Sequence, residues 1–161
     1  MEKQKVNFFG VGPKIIRPTI AYGIAATLLT LFYPELFLMN FISGTAFHII
    51  GGIFLGFGIA FIFISGPAMK RAVSLGRLET TGTFAIVRNP LYFAWIAFIF
   101  PGSAIASQAW LLFGMSAIAF YLFIKLIPQE EAMLEETFGE EFLTYKKAVP
   151  AIIPSFKNNP I

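Results

Sequence analysis

The chain contains no cysteine and no aspartate, carries one histidine, His48, and has only 13% charged residues among its 161. Without cysteine there are no disulfides, no thiolate nucleophile and no cysteine metal ligands. With one histidine, and glutamate as the only acid, a zinc centre lacks its usual ligand set, so no metal is expected. A soluble domain usually has about 25% charged residues, and this chain falls well short of that. Its net charge of +3 is not gathered on one basic face, which argues against a nucleic-acid partner.

Apolar residues are abundant instead. They make up 57% of the chain, include 20 phenylalanines, raise the mean hydropathy to +0.72 and occur in long blocks. Crossing a bilayer core takes about 20 such residues in a helix. Residues 45–65 and 108–127 meet this cleanly. Residues 19–38 meet it with Pro34 and Glu35 near the end, and residues 91–107 are short, with Pro101-Gly102 expected to kink or shorten them. The fold expected is all-α: a polytopic membrane helical bundle of about four transmembrane helices plus a C-terminal amphipathic helix on the cytosolic side. It forms one membrane domain over 1–161, with an N-terminal helix pair (19–65), a cytosolic loop (66–90) and a helical hairpin with the C-terminal segment (91–161).

Charge placement orients the spans, because lysine and arginine favour cytosolic loops. Lys3, Lys5, Lys14 and Arg17 precede the first span, and Lys70, Arg71, Arg77 and Arg88 lie between the second and third. The links 39–44 and 102–107 carry neither residue. An integral membrane protein with both termini cytosolic satisfies every cluster. No small-residue cleavage site ends the first apolar block, so it reads as a retained anchor.

Three polar features interrupt the apolar pattern. Inside the second block, Gly52 and Gly56 stand at i, i+4, a spacing that lets membrane helices approach closely. His48, one turn earlier, is a packing residue or a proton acceptor. Beyond the last block, Leu134, Phe138, Phe142, Tyr145 and Val149 form one apolar helical stripe, with Pro128 suited to begin the helix. Glu136 and Glu140 fall opposite this stripe, whereas Glu131 lies only about 20° from its centre and Glu130 near its edge. A carboxylate there needs hydrogen-bond partners or a cation: Arg88, a cluster of backbone amides, or a ligand.

The third feature is "VRNPLYFAW", residues 87–95. Asn89 suits an N-cap and Pro90 the first helical position. The helix start also presents free N–H groups and the positive end of a dipole. Arg88 adds a charge, and Tyr92 a ring and hydroxyl one turn on. The stretch is a cap alone or an anion-binding threshold. Joined to the misplaced glutamates, it would hold a zwitterion.

"TTGTFAIVRNPLYFAW" followed by a hairpin and "EEAMLEETFGEEFLTYKKAVPAIIP" resembles the isoprenylcysteine carboxyl methyltransferase and phospholipid methyltransferase group of integral membrane enzymes. The resemblance runs from about Leu78 to Pro154. It implies a methyltransferase using S-adenosylmethionine near the cytosolic face. The acceptor would be a membrane lipid or a lipidated or small amphipathic molecule drawn from the bilayer. The family's Arg-His-Pro-x-Tyr motif corresponds to Arg88, Asn89, Pro90 and Tyr92, and its paired acids to Glu130 and Glu131. These six are the implied cofactor-binding residues; Arg88 and His48 are the candidate catalytic ones. Asn89 replaces the common histidine, Ala94 stands where glycine is usual, and Gly56-Phe57-Gly58 corresponds to a Gly-x-Gly of the phospholipid branch. Rival readings are a small multi-span transporter, for which homodimers are expected, and a non-catalytic cofactor-binding protein of the same fold.

Overall fold

The computed structural model describes residues 10–154. Lys3 and Lys5, two of the charges used to orient the chain, lie outside the described residues. Seven α-helical segments follow in order: α1 (Gly12–Phe32), α2 (Pro34–Phe37), α3 (Gly44–Leu75), α4 (Pro90–Ala94), α5 (Phe100–Ala106), α6 (Phe113–Phe138) and α7 (Glu140–Ala148). The π turn Trp95–Ile99 joins α4 to α5 in one rod, Pro90–Ala106. Three helices are long and apolar enough to cross a membrane: Gly12–Phe32, Gly44–Leu75 and Trp110–Phe138. The rod is the expected third span, apolar but shorter. The all-α membrane bundle is therefore present, with three full-length helices and one short one.

Boundaries moved where proline behaved differently from expectation. The first helix starts at Gly12 rather than near 19 and stops at Phe32, because Pro34 begins a separate turn. The second runs ten residues past its expected end, through Pro67, to a left-handed Gly76 (φ 61°). At about 1.5 Å per residue, its 32 residues span about 48 Å, more than a ~30 Å bilayer core. The expected loop thus begins as helix. Pro128 starts no new helix: α6 passes through it to Phe138. The apolar stripe instead breaks at Gly139 (φ 55°), where α7 turns back. The rod runs on through Pro101 after widening into the π turn just before it, a usual way to accommodate a missing N–H.

The helices pack in pairs, α1 on α6 and α3 along the rod, with the rod and α6 joining the pairs. The faces of α1 show how. Its lipid side exposes Ile16, Ile20, Ile24, Leu28 and Leu31. Its packed side is small: Thr19, Gly23, Ala26 and Thr30. The threonine hydroxyls donate to carbonyls one turn back, Thr19 to Ile15 (2.7 Å) and Thr30 to Ala26 (2.8 Å), so they need no outside partner. The second pair also meets through glycines, but not those expected. A side chain at Gly52 or Gly56 would touch nothing within 4 Å. A Cβ on Gly51 would lie 2.5 Å from the Ala106 nitrogen, one on Gly58 2.6 Å from Ile99, and one on Gly102 3.0 Å from Leu55. The packed face is rotated from the Gly52–Gly56 face, so that pair looks outward.

At the end where α3 terminates, the chain folds over itself. Ser65 and Thr83, both buried, share a hydrogen bond of 2.8 Å that fixes the 3-10 turn Gly82–Ala85 to α3. Phe142, Tyr145 and Val149 of the C-terminal stripe pack with Leu78, Leu134 and Phe138. The stripe therefore faces the protein's own helix ends.

Candidate functional site

A cavity of about 330 Å³ lies between the two helix pairs at this end, bounded by α1, the end of α3, α4 and α6. Its wall is mostly apolar: Ile16, Met69, Val73, Trp95, Ile96 and Leu134 contribute. All six residues singled out as a cofactor site also line it: Arg88, Asn89, Tyr92, Glu130 and Glu131, which are polar, and Pro90. They come from two stretches some forty residues apart that the fold brings to one wall.

Arg88 is the centre of a buried ion network. One terminal nitrogen donates to Glu131, and the other donates to the carbonyls of Lys146 (3.0 Å) and Val149. Lys146 reaches the second Glu131 oxygen at 3.0 Å. The Arg88 and Glu131 side chains are 10% and 12% exposed, so this pair sits where water screens little and loss of one partner is costly. The Arg88 Nε is buried and makes no hydrogen bond among the described residues. Among the partners weighed for Glu131, arginine is the one found. Lys146 was missed by sequence reasoning, because its contact crosses from α7 and only the Gly139 turn brings it back.

Asn89 precedes the α4 start, but its side chain makes no cap hydrogen bond. Its amide Nδ2 donates to the Ala151 carbonyl (3.1 Å), as does its backbone N–H (3.1 Å), while the Arg88 N–H donates to Pro150 (2.8 Å). The C-terminal segment is thus laid alongside the Arg-Asn turn. Pro90 is fully buried behind it. Tyr145 ties the 3-10 turn to α7 by donating to the Phe84 carbonyl at 2.6 Å, and burial pushes its phenol above the ordinary range. Glu79, on the cavity rim, is held below the usual carboxylate range. The Thr81 hydroxyl does most of this, against an opposing effect of burial, helped by the Thr81 amide and Arg77.

Glu130 differs from its neighbour. It accepts two long hydrogen bonds, from the Val11 N–H (3.3 Å) and the Tyr92 hydroxyl (3.4 Å), both on Oε2. No lysine or arginine among the described residues forms an ion pair with it. It is a part-buried carboxylate on a cavity wall with acceptor capacity to spare, which suits an ammonium or hydroxyl group of a ligand.

His48 is not brought to this site. It is exposed on α3 and bonds to the Gly44 carbonyl. Along the helix it lies about 30 Å from Met69, where α3 first borders the cavity. Gly56, of the Gly56-Phe57-Gly58 stretch, likewise faces open space.

Comparison with known proteins bears out the resemblance read from the two motifs. The chain is 28% identical over 164 residues to the protein-S-isoprenylcysteine O-methyltransferase of Mus musculus, covering 89% of this chain and 54% of the relative. It is 26% identical over 159 residues to the protein of the same name from Xenopus laevis, with the same coverage of 89% and 54%. It is 31% identical over 83 residues to protein-S-isoprenylcysteine O-methyltransferase B of Arabidopsis thaliana, covering 48% of this chain and 40% of that one. The chain therefore spans about half the length of the curated relatives it matches. No family model matches the chain, and no solved structure matches it significantly.

Proposed function

We propose that this protein is a membrane-embedded methyltransferase that uses S-adenosylmethionine and an amphipathic acceptor taken from the bilayer. One observation carries the reading: both motifs resembling the family meet on the wall of a single cavity that is otherwise mostly apolar. The cavity's size falls within the ~300–1,000 Å³ typical of small-molecule sites. Glu130, without a cation partner among the described residues, fits a cofactor that carries an ammonium and ribose hydroxyls.

When bound, the cofactor supplies a methyl group on a sulfonium, already activated for displacement, so the chain's own task is placement and exclusion of water. Such positioning is worth up to ~7–11 kcal/mol. Glu130 and Tyr92 hold the polar end. Arg88 is held by Glu131 and the C-terminal carbonyls, so it fixes the Arg-Asn-Pro turn in place and lends positive potential to the wall. The acceptor enters between α1 and α3, which belong to different pairs and leave the cavity's apolar side between them. The relatives' name points to a prenylated cysteine carboxylate as one acceptor class, and other membrane lipids fit the same apolar entry.

Titration of detergent-purified protein with S-adenosylmethionine by calorimetry tests the reading. A saturable heat is expected, and its absence from a folded sample overturns it. Incubating membranes that contain the protein with methyl-labelled cofactor then identifies the acceptor by the molecule that acquires label.

The cavity end is read as cytosolic, because Lys14, Arg17, Lys70, Arg71 and Arg77 cluster there while links 39–44 and 102–107 carry no basic residue. A chain without cysteine is well suited to the check. In intact cells, a cysteine at position 40 should react with an impermeant thiol reagent and one at position 77 should not. The opposite pattern inverts the topology.

A further inference from the structure

The first turn of α1 does not stand clear of the site. Gly10 adopts φ 44°, a left-handed conformation that glycine tolerates and other residues rarely adopt. A Cβ there would lie 2.5 Å from Glu130 Oε2 and 2.9 Å from Oε1, so the chain passes against the carboxylate itself. The next residue, Val11, donates its N–H to Oε2. The turn is anchored from below. Val11 and Ile15 are 6% and 3% exposed and share a core cluster with Phe123, Ile127 and Ile152. Tyr92 donates to the same Oε2. Both donors to Glu130 therefore meet one oxygen, and Oε1 accepts from no described residue.

From this geometry we infer that the Gly10–Val11 turn is a positioning element of the ligand site: it holds Glu130 by one oxygen and leaves the other directed to the ligand. The inference rests on the methyltransferase reading and adds to it. The start of α1 becomes part of cofactor binding, and α1 also borders the proposed entry for the acceptor. An N-terminal turn that moves would release Glu130, so occupancy of the cofactor and seating of α1 are linked.

The test is a double-mutant cycle read by calorimetric titration with S-adenosylmethionine, with a thermal melt on every variant. Gly10→Ala forces a methyl group onto the carboxylate and is expected to weaken binding about tenfold, the scale of one charge-assisted hydrogen bond. Val11→Pro removes the donor without placing a side chain at a positive φ and should give a similar loss. This keeps the inference testable if Gly10→Ala does not fold. Gly52→Ala is the control: its Cβ would meet nothing within 4 Å, and it lies on the outward face of α3, away from the cavity. It should leave affinity within about twofold.

The decisive measurement is Gly10→Ala in a Glu130→Ala background. It should then cost nothing further, because the group it disturbs is gone. Equal losses in both backgrounds, or wild-type affinity in Gly10→Ala, overturn the positioning role while leaving the methyltransferase reading intact. A wild-type protein that takes up no cofactor removes both.

Discussion

Glu130 and Glu131 are adjacent in the sequence, yet they belong to two unlike regions of one cavity wall. On the Glu131 side the carboxylate is answered: Arg88 and Lys146 share it, and the Lys146 and Val149 carbonyls take the other terminal nitrogen of the guanidinium. On the Glu130 side two neutral donors sit at long range on one oxygen, and no cation from the described residues approaches. A satisfied buried pair holds its surroundings in one arrangement, whereas an underused, part-buried carboxylate is available to something else. The contrast separates structure-keeping from ligand-holding within one dipeptide.

The comparison breaks most visibly at Glu131. Glu131→Ala leaves Arg88 buried without its anion. Removing one partner of such a pair costs about 3–5 kcal/mol. The melting temperature should fall steeply, and cofactor affinity should fall with it because the Arg-Asn-Pro turn loosens. Glu130→Gln should do the reverse. Its two long hydrogen bonds contribute about 1 kcal/mol or less each, so stability should change little. Cofactor affinity should fall about tenfold with the loss of the charge. Thermal melts and calorimetric titrations on the two variants decide the matter. If Glu130→Gln melts as early as Glu131→Ala, or binds as well as the wild type, the division of labour is wrong.

Much of this was legible beforehand, for identifiable reasons. Long apolar blocks with charge confined to their ends fixed the all-α membrane class, since only helices or closed barrels satisfy the backbone in lipid. Glu131 stood out because an acid near the centre of an apolar stripe must be answered by something, and Arg88 answers it. The glycine contacts were not legible. Residues 45–65 are apolar on every face, so the sequence carries no phase to show which side meets a neighbour. Gly51 and Gly58 were passed over for the better-spaced Gly52–Gly56. Pro128 misled because a proline within a membrane helix loses one N–H bond that the surrounding turns absorb, where in water it more often marks an end. Lys146 and Gly10 depend on tertiary closure: one arrives through the reversal at Gly139, the other through the pairing of α1 with α6. No local pattern announces either.

The smallest expected effect lies at the opposite end of the molecule and sharpens the same comparison by distance. His48 is the histidine of the chain, and a protonatable group in a span invites a catalytic role. Here it stands exposed near the start of α3, bonded to a carbonyl of its own helix, about 30 Å along that helix from the cavity. No proton transfer acts directly over that length, since a catalytic base must come within about 3 Å of the proton it takes or reach it through one water. His48→Ala should therefore leave cofactor affinity and the pH profile of methyl transfer at their wild-type values, to within about twofold. A lost limb in that profile on removing the imidazole would place the reacting atoms at the wrong end of the bundle. Glu130 and Glu131 would then both be structural, and the difference between them would say nothing about catalysis.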